Sequence, residues 1–172
     1  MESWIELLKI LIPAALVVYA AYLLVRSFIV RDLELKRMEV RNKSIETVLP
    51  LRLQAYERMT LFLERIHPHN LLVRVNPGNI PARDFQQLLL SEIRNEYNHN
   101  VSQQVFMSSQ VWELIRNAKE DLVLTINEAA AELNGEATSL DLSRKIFERY
   151  LAKPDAIQHA IEQVKQEIQQ TF

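Results

Sequence analysis

The sequence predicts a mainly α protein: one N-terminal transmembrane helix, then a compact helical domain of about five helices with at most a minor two-stranded β pairing. Three observations predict it. From Ile10 to Val25 there is no charged residue, and the apolar character runs on to Val30. Beyond that block, apolar residues recur at the 3–4 spacing of one helix face in segment after segment. Only two Gly and six Pro punctuate 172 residues, as expected of helices joined by short loops. The expected organisation is a transmembrane anchor over 1–30, a basic juxtamembrane helix over 31–49 and a cytoplasmic helical domain over 50–172.

The anchor is taken first. Ile10–Val25 makes about 24 Å of helix at 1.5 Å per residue, short of the roughly 30 Å hydrocarbon core. If Lys9 and Arg26 snorkel, the span lengthens to Ile5–Val30, roughly 39 Å. Trp4 lies where an interfacial aromatic belongs, and Pro13 sits near one end, where it costs less than at mid-span. Three alternatives are weaker. A buried core helix rarely runs so long without charge. A signal peptide cleaved before Ala21 has Glu2 and Glu6 against it. An interfacial helix needs a polar face, and Leu11–Val25 has none.

Lys and Arg flanking the span number one before and six after: Lys9 against Arg26, Arg31, Lys36, Arg37, Arg41 and Lys43. That asymmetry predicts an N-terminus outside and a cytoplasmic C-terminal domain. The six also predict a membrane-proximal basic segment beside anionic headgroups of the lipid bilayer. A seven-residue frame puts Phe28, Leu35, Asn42 and Leu49 at one seam position and Arg31, Met38 and Ile45 at the other. Phe28, Leu35, Met38, Asn42 and Ile45 thus mark a possible self-association seam and a weak homodimer. Residues that face solvent or the protein's own bundle give the blander account of the same stripe.

Helix is expected to continue past Arg31 and to be interrupted at Pro50, since an interior Pro loses a hydrogen bond and clashes. Ala55, Tyr56, Met59, Phe62, Leu63 and Ile66 stripe the next helix, which His67-Pro68 stops. Leu71–Val75 is short and β-rich, and Asn76-Pro77-Gly78-Asn79 is a turn. Pro81 opens a helix striped by Phe85, Leu88, Leu89, Ile93 and Tyr97. Val101–Met107 is ambiguous, and an extended conformation there would pair with Leu71–Val75. Ser108 or Ser109 caps the longest helix of the domain, whose face reads Val111, Trp112, Ile115, Ala118, Leu122, Ile126, Ala129 and Leu133, with Asn134-Gly135 as its stop. Thr138 or Ser139 opens a shorter helix with Leu140, Phe147, Tyr150 and Leu151. Pro154 starts the last, striped by Ile157, Ala160, Ile161, Val164 and Ile168.

Chemistry is hard to find. With two Gly and no Cys, glycine phosphate cradles, thiol catalysis, disulfides and Cys-based metal sites are excluded. Residues 46–172 carry 13 basic and 17 acidic side chains without a basic stripe, so no nucleic-acid partner is expected. His67, His69 and Glu64 are the nearest approach to a metal cluster, yet a helix stop with exposed His explains them better. Asp84, Glu92 and Glu96 could serve acid–base work, but nothing in the sequence gathers them. No cofactor and no catalytic residue is expected.

Around Leu51-Arg52-Leu53-Gln54-Ala55-Tyr56-Glu57-Arg58, Glu64-Arg65-Ile66 and Asn98-His99-Asn100-Val101-Ser102-Gln103-Gln104, the chain resembles an uncharacterised family of small single-span membrane proteins of Bacteroidota. The resemblance implies a bacterial inner (plasma) membrane and carries no activity. The expected function is a membrane-anchored, non-enzymatic interaction or adaptor protein whose partner is an unknown membrane or cytoplasmic protein. Two alternatives stand beside it: a stalk resembling the b subunit of a rotary ATPase, and an enzyme with an unrecognised pocket.

Overall fold

Six α-helices and one 3-10 turn make up the described part of the chain. The computed structural model describes the backbone of residues 2–76 and 78–171, and the side chains of 11–12, 15–41, 43, 45–76 and 78–170. The elements are α1 (Glu2–Ile66), α2 (Pro68–Val75), α3 (Ala82–Asn100), the 3-10 turn Val101–Phe106, α4 (Ser109–Ala131), α5 (Ser139–Leu151) and α6 (Ala156–Thr171). They fall into two units, Met1–Leu49 and Pro50–Phe172.

The first unit is helix alone. Among the described residues no helix is long and apolar enough to cross a membrane. This overturns the N-terminal transmembrane helix and the single-pass inner-membrane placement with a cytoplasmic domain. The reason on the C-terminal side is charge, since the uncharged run ends at Val25. Eighteen residues counted from Ala15 take in Arg26, Arg31 and Asp32. The side chains of Trp4, Ile5, Lys9, Ile10 and Pro13, on which the longer span drew, lie outside the described residues.

Pro50 does not end the helix either. The bond that its missing N–H would give to the Glu46 carbonyl is lost, but both residues are exposed, so water can take that carbonyl. The unit boundary falls at this proline.

In the second unit the helix stripes meet. Ala55, Tyr56, Met59, Phe62, Leu63 and Ile66 of α1 are buried with Phe85, Leu89 and Ile93 of α3, and α4 packs against α3, α5 and α6. Tyr97 stacks on Trp112 at 5.8 Å and meets Phe62 at 5.9 Å, with the Lys119 ammonium 4.3 Å from its ring centre.

Neither ambiguous segment is a strand. Pro68 occupies the first turn of α2, and its fixed φ favours helix there. Leu71 and Leu72 are both buried although adjacent, which an alternating strand facing one core would not allow. Val101–Phe106 is a 3-10 turn with Val105 exposed. The β pairing is one antiparallel bridge elsewhere, Pro81 with Thr138, where Ala82 N–H donates to Ala137 O (2.9 Å) and Ser139 N–H to Ile80 O (2.8 Å). Gly78 takes φ +109° in the turn before it, a value only glycine adopts cheaply.

The face of α5 also differs from expectation. Leu140 and Leu151 are exposed, while Leu142, Ile146 and Tyr150 face the core beside Ser139. Ser139 can be buried because its hydroxyl donates to Gly78 O at 2.7 Å.

Candidate functional site

Two polar clusters in the second unit and the surface of the first are the places where function can reside. The first cluster begins at His67, between α1 and α2. Its Nδ1 accepts the His69 N–H (3.3 Å), which leaves the proton on Nε2, 3.3 Å from Asp155 Oδ2. Asp155 precedes α6 and caps it, accepting the Gln158 N–H at 2.8 Å. The same oxygen accepts the Tyr150 hydroxyl at 2.5 Å, and the Tyr150 ring meets His67 edge-on.

Burial alone would raise the Asp155 carboxyl, but hydrogen bonds from Gln158, Tyr150 and His67 outweigh it and hold the group below its ordinary range. Burial, with Asp155 beside it, pushes the Tyr150 hydroxyl far above its ordinary value and keeps it a donor. A His–Asp pair invites a catalytic reading. Both imidazole nitrogens are engaged within the chain, however, so no basic nitrogen is left for a substrate. The cluster is a clasp joining α2, α5 and α6.

The second cluster centres on Glu167 of α6. Its Oε1 accepts the Tyr56 hydroxyl (2.6 Å) and the Ser108 N–H (2.9 Å), and its Oε2 accepts the Ser108 hydroxyl. Arg52 donates to the Tyr56 hydroxyl at 2.9 Å and to Phe106 O at 3.3 Å. Ser108 is also the N-cap of α4, accepting from Val111 N–H. Burial would raise Glu167, yet the hydrogen bonds from Ser108 and Tyr56 bring it below its ordinary range, while burial raises Tyr56. The serine is thus a cap whose hydroxyl proton is already given to a carboxylate, not a poised nucleophile.

The remaining acid–base candidates are not gathered. Glu92 pairs with Arg74 (2.5 Å) and Glu96 with Arg65, while Asp84 is exposed. Glu64 offers its backbone carbonyl to Asn70, and among the described residues no three His, Asp or Glu side chains are grouped as a metal requires. A groove of about 450 Å³ beside Arg83, Gln86, Asn127 and Asn134 has no nucleophile–base pair in its lining.

In the first unit the six basic residues are exposed on α1. At 100° per residue, Arg26, Arg37 and Arg41 fall within about 60°, Lys36 and Lys43 lie on another side, and Arg31 stands apart. They form no single charged face. Lys36 pairs with Asp32 (3.1 Å) and Lys43 with Glu39 (2.8 Å). Phe28, Leu35, Met38 and Ile45 are exposed by half or more, and the Asn42 side chain lies outside the described residues. By register these five share an arc of about 100°.

Leu16, Val17, Val18, Leu24, Val25 and their neighbours between Leu11 and Val30 are likewise uncovered. The Asp155 clasp was readable in principle, since Pro154-Asp155 before an apolar-periodic segment is an N-cap signal. The Glu167 cluster had no such signal, because its members come from three separate stretches of chain.

Compared with known proteins, residues 2–171 match one family, described as a family of unknown function (DUF7935). The match bears out an uncharacterised family and carries neither a membrane span nor a bacterial phylum. No curated protein and no solved structure matches the chain. The chain belongs to the DUF7935 family.

Proposed function

Taking that membership as the premise, we propose that the protein is a non-enzymatic interaction or adaptor protein. The first unit supplies its binding surface and the second is the folded module attached to it. One observation carries the reading: the large apolar side chains described between Leu11 and Val30 are exposed, from Leu23 at 43% to Phe28 at 75%. A contiguous apolar surface of this extent marks an interaction site, because leaving it in water forgoes about 25 cal/mol for each Å². The polar clusters of the second unit support the same reading, since their hydrogen-bonding groups are spent on each other.

A second reading is a stalk-like subunit of a larger assembly. The helix running through Pro50 favours it, because a stalk needs a long continuous helix.

A photo-crosslinking residue at Val17 or Leu24 in living cells tests the proposal, with exposed Leu140 on α5 as the control. Defined, reproducible adducts to a protein from Val17 and Leu24, and none from Leu140, are expected. No adduct from either site, or the same adducts from all three, would contradict it.

A further inference from the structure

We infer that residues 28–49 pair with the same segment of a second copy as a parallel, in-register two-stranded coiled coil. The inference goes beyond the partner proposed for 11–30, concerns the stretch that follows it and shares only residues 28–30 with it, and stands if that proposal falls.

Phe28, Leu35, Asn42 and Leu49 repeat every seven residues, with Arg31, Met38 and Ile45 three residues after each of the first three. A strict seven-residue repeat keeps one seam toward one partner helix. Leu33 and Val40 are exposed on the other side and lie off the seam. The frame extends toward the N-terminus through Leu24, Ala21 and Val17.

Area supports a second copy as the occupant. Burying one large apolar side chain removes roughly 60–120 Å² from water. Phe28, Leu35, Met38, Ile45 and Leu49 on each of two chains give roughly 600–1,200 Å², which comes up to the lower end of stable interfaces, about 1,200 Å².

Charge selects the orientation. The positions flanking one side of the seam are Asp32, Glu39 and Glu46, all acidic, and those flanking the other are Ser27, Glu34 and Arg41. An antiparallel pair sets the acidic row against itself. A parallel pair sets it against the mixed row, so that Arg41 meets Glu46 of the second copy, at the cost of Glu34 near Glu39. Parallel pairing also brings Asn42 opposite Asn42, the arrangement by which a polar seam residue fixes register in two-stranded coils. Arg31 is the cost of the seam, and Asp32 of the second copy lies one position along to receive it.

The chain has no Cys, so single cysteines report on it directly. Full-length Asn42→Cys and Lys43→Cys proteins are oxidised mildly at equal concentration, and the disulfide dimer is followed with time. Position 42 should crosslink at least about tenfold faster than position 43, because the seam raises effective concentration for one and points the other outward. Adding Leu35→Glu and Met38→Glu to the Asn42→Cys protein should drop its rate to that of the Lys43→Cys protein. Equal rates at the two positions, or no effect of the two glutamates, would overturn the inference. Slow bonding between two Asn42→Cys chains, with fast bonding between a Leu35→Cys chain and a Met38→Cys chain, would mean antiparallel pairing and overturn it as well.

Discussion

The two units treat the same residue types in opposite ways. Leu24, Phe28 and Leu33 of the first are 73%, 75% and 53% exposed, whereas Leu63, Phe62 and Leu89 of the second are at most 1% exposed. Both sets lie on helices, so secondary structure does not separate them. What separates them is the supply of a second surface. α3 to α6 provide it for residues 55–66, and no other element belongs to the first unit. A helix without tertiary cover has propensity and side-chain pairs for support, each pair contributing about 0.2–0.5 kcal/mol. Cover from another molecule is the stronger source, which is why the first unit reads as an association surface.

Matched truncations sharpen this contrast most. Leu63→Ala should cost about 2–5 kcal/mol in a urea melt followed by Trp112 fluorescence, by lost transfer energy and an unfilled cavity. Leu33→Ala, off the seam, should stay within about 0.5 kcal/mol. Comparable losses at both sites would mean that the first unit has a hidden core.

Smaller effects belong to the clasp. Asp155→Ala leaves the Tyr150 hydroxyl and the Gln158 N–H without their acceptor and should cost about 1–3 kcal/mol. Its pH dependence has a definite sign. Asp155 and Glu167 sit below their ordinary values of 3.8 and 4.5 when folded. On acidification the unfolded chain takes up their protons first. Stability should be full above about pH 5 and fall as pH drops through that range toward the lower folded values. Asp155→Asn combined with Glu167→Gln should flatten the fall. Tyr56 and Tyr150 act at the other end. Both are raised above 10.0, so stability should decline as pH rises past 10.

Thr138 caps α5 in a reciprocal box with Asp141, whose side chain accepts the Thr138 N–H at 3.0 Å. Thr138→Ala should cost about 1 kcal/mol in the same melts. Least of all, Lys36→Ala removes one exposed pair of the first unit and should lower its helicity, read by circular dichroism, by no more than about 0.5 kcal/mol can explain.

The α4 stripe, the Ser108 and Thr138 caps and the turn at Gly78 were legible because each is a local rule about neighbouring residues. Long-range choices were not. Leu71–Val75 has strand-like composition, but the His67–Pro68 start and two adjacent buried leucines make it helix. The α5 face was misassigned because Ser139, a polar residue, faces inward on a hydrogen bond to Gly78 O sixty-one positions away in sequence. The anchor failed on charge: eighteen residues counted from Ala15 take in Arg26, Arg31 and Asp32, and among the described residues no helix is long and apolar enough to cross a membrane. Of the candidate site, the sequence supplied the seam register but not the His67–Asp155–Tyr150 or Glu167 clusters, which exist only once distant helices meet.

Hydrogen exchange of the full-length chain at two concentrations a hundredfold apart tests the central contrast most directly. The second unit carries its own cover, so amides of residues 55–66 and 111–129 should exchange at the same slow rate in both samples. Amides of residues 28–49 should be protected in the concentrated sample and lose that protection on dilution, because their cover comes from another molecule. Protection of 28–49 that is unchanged across the dilution would contradict the account.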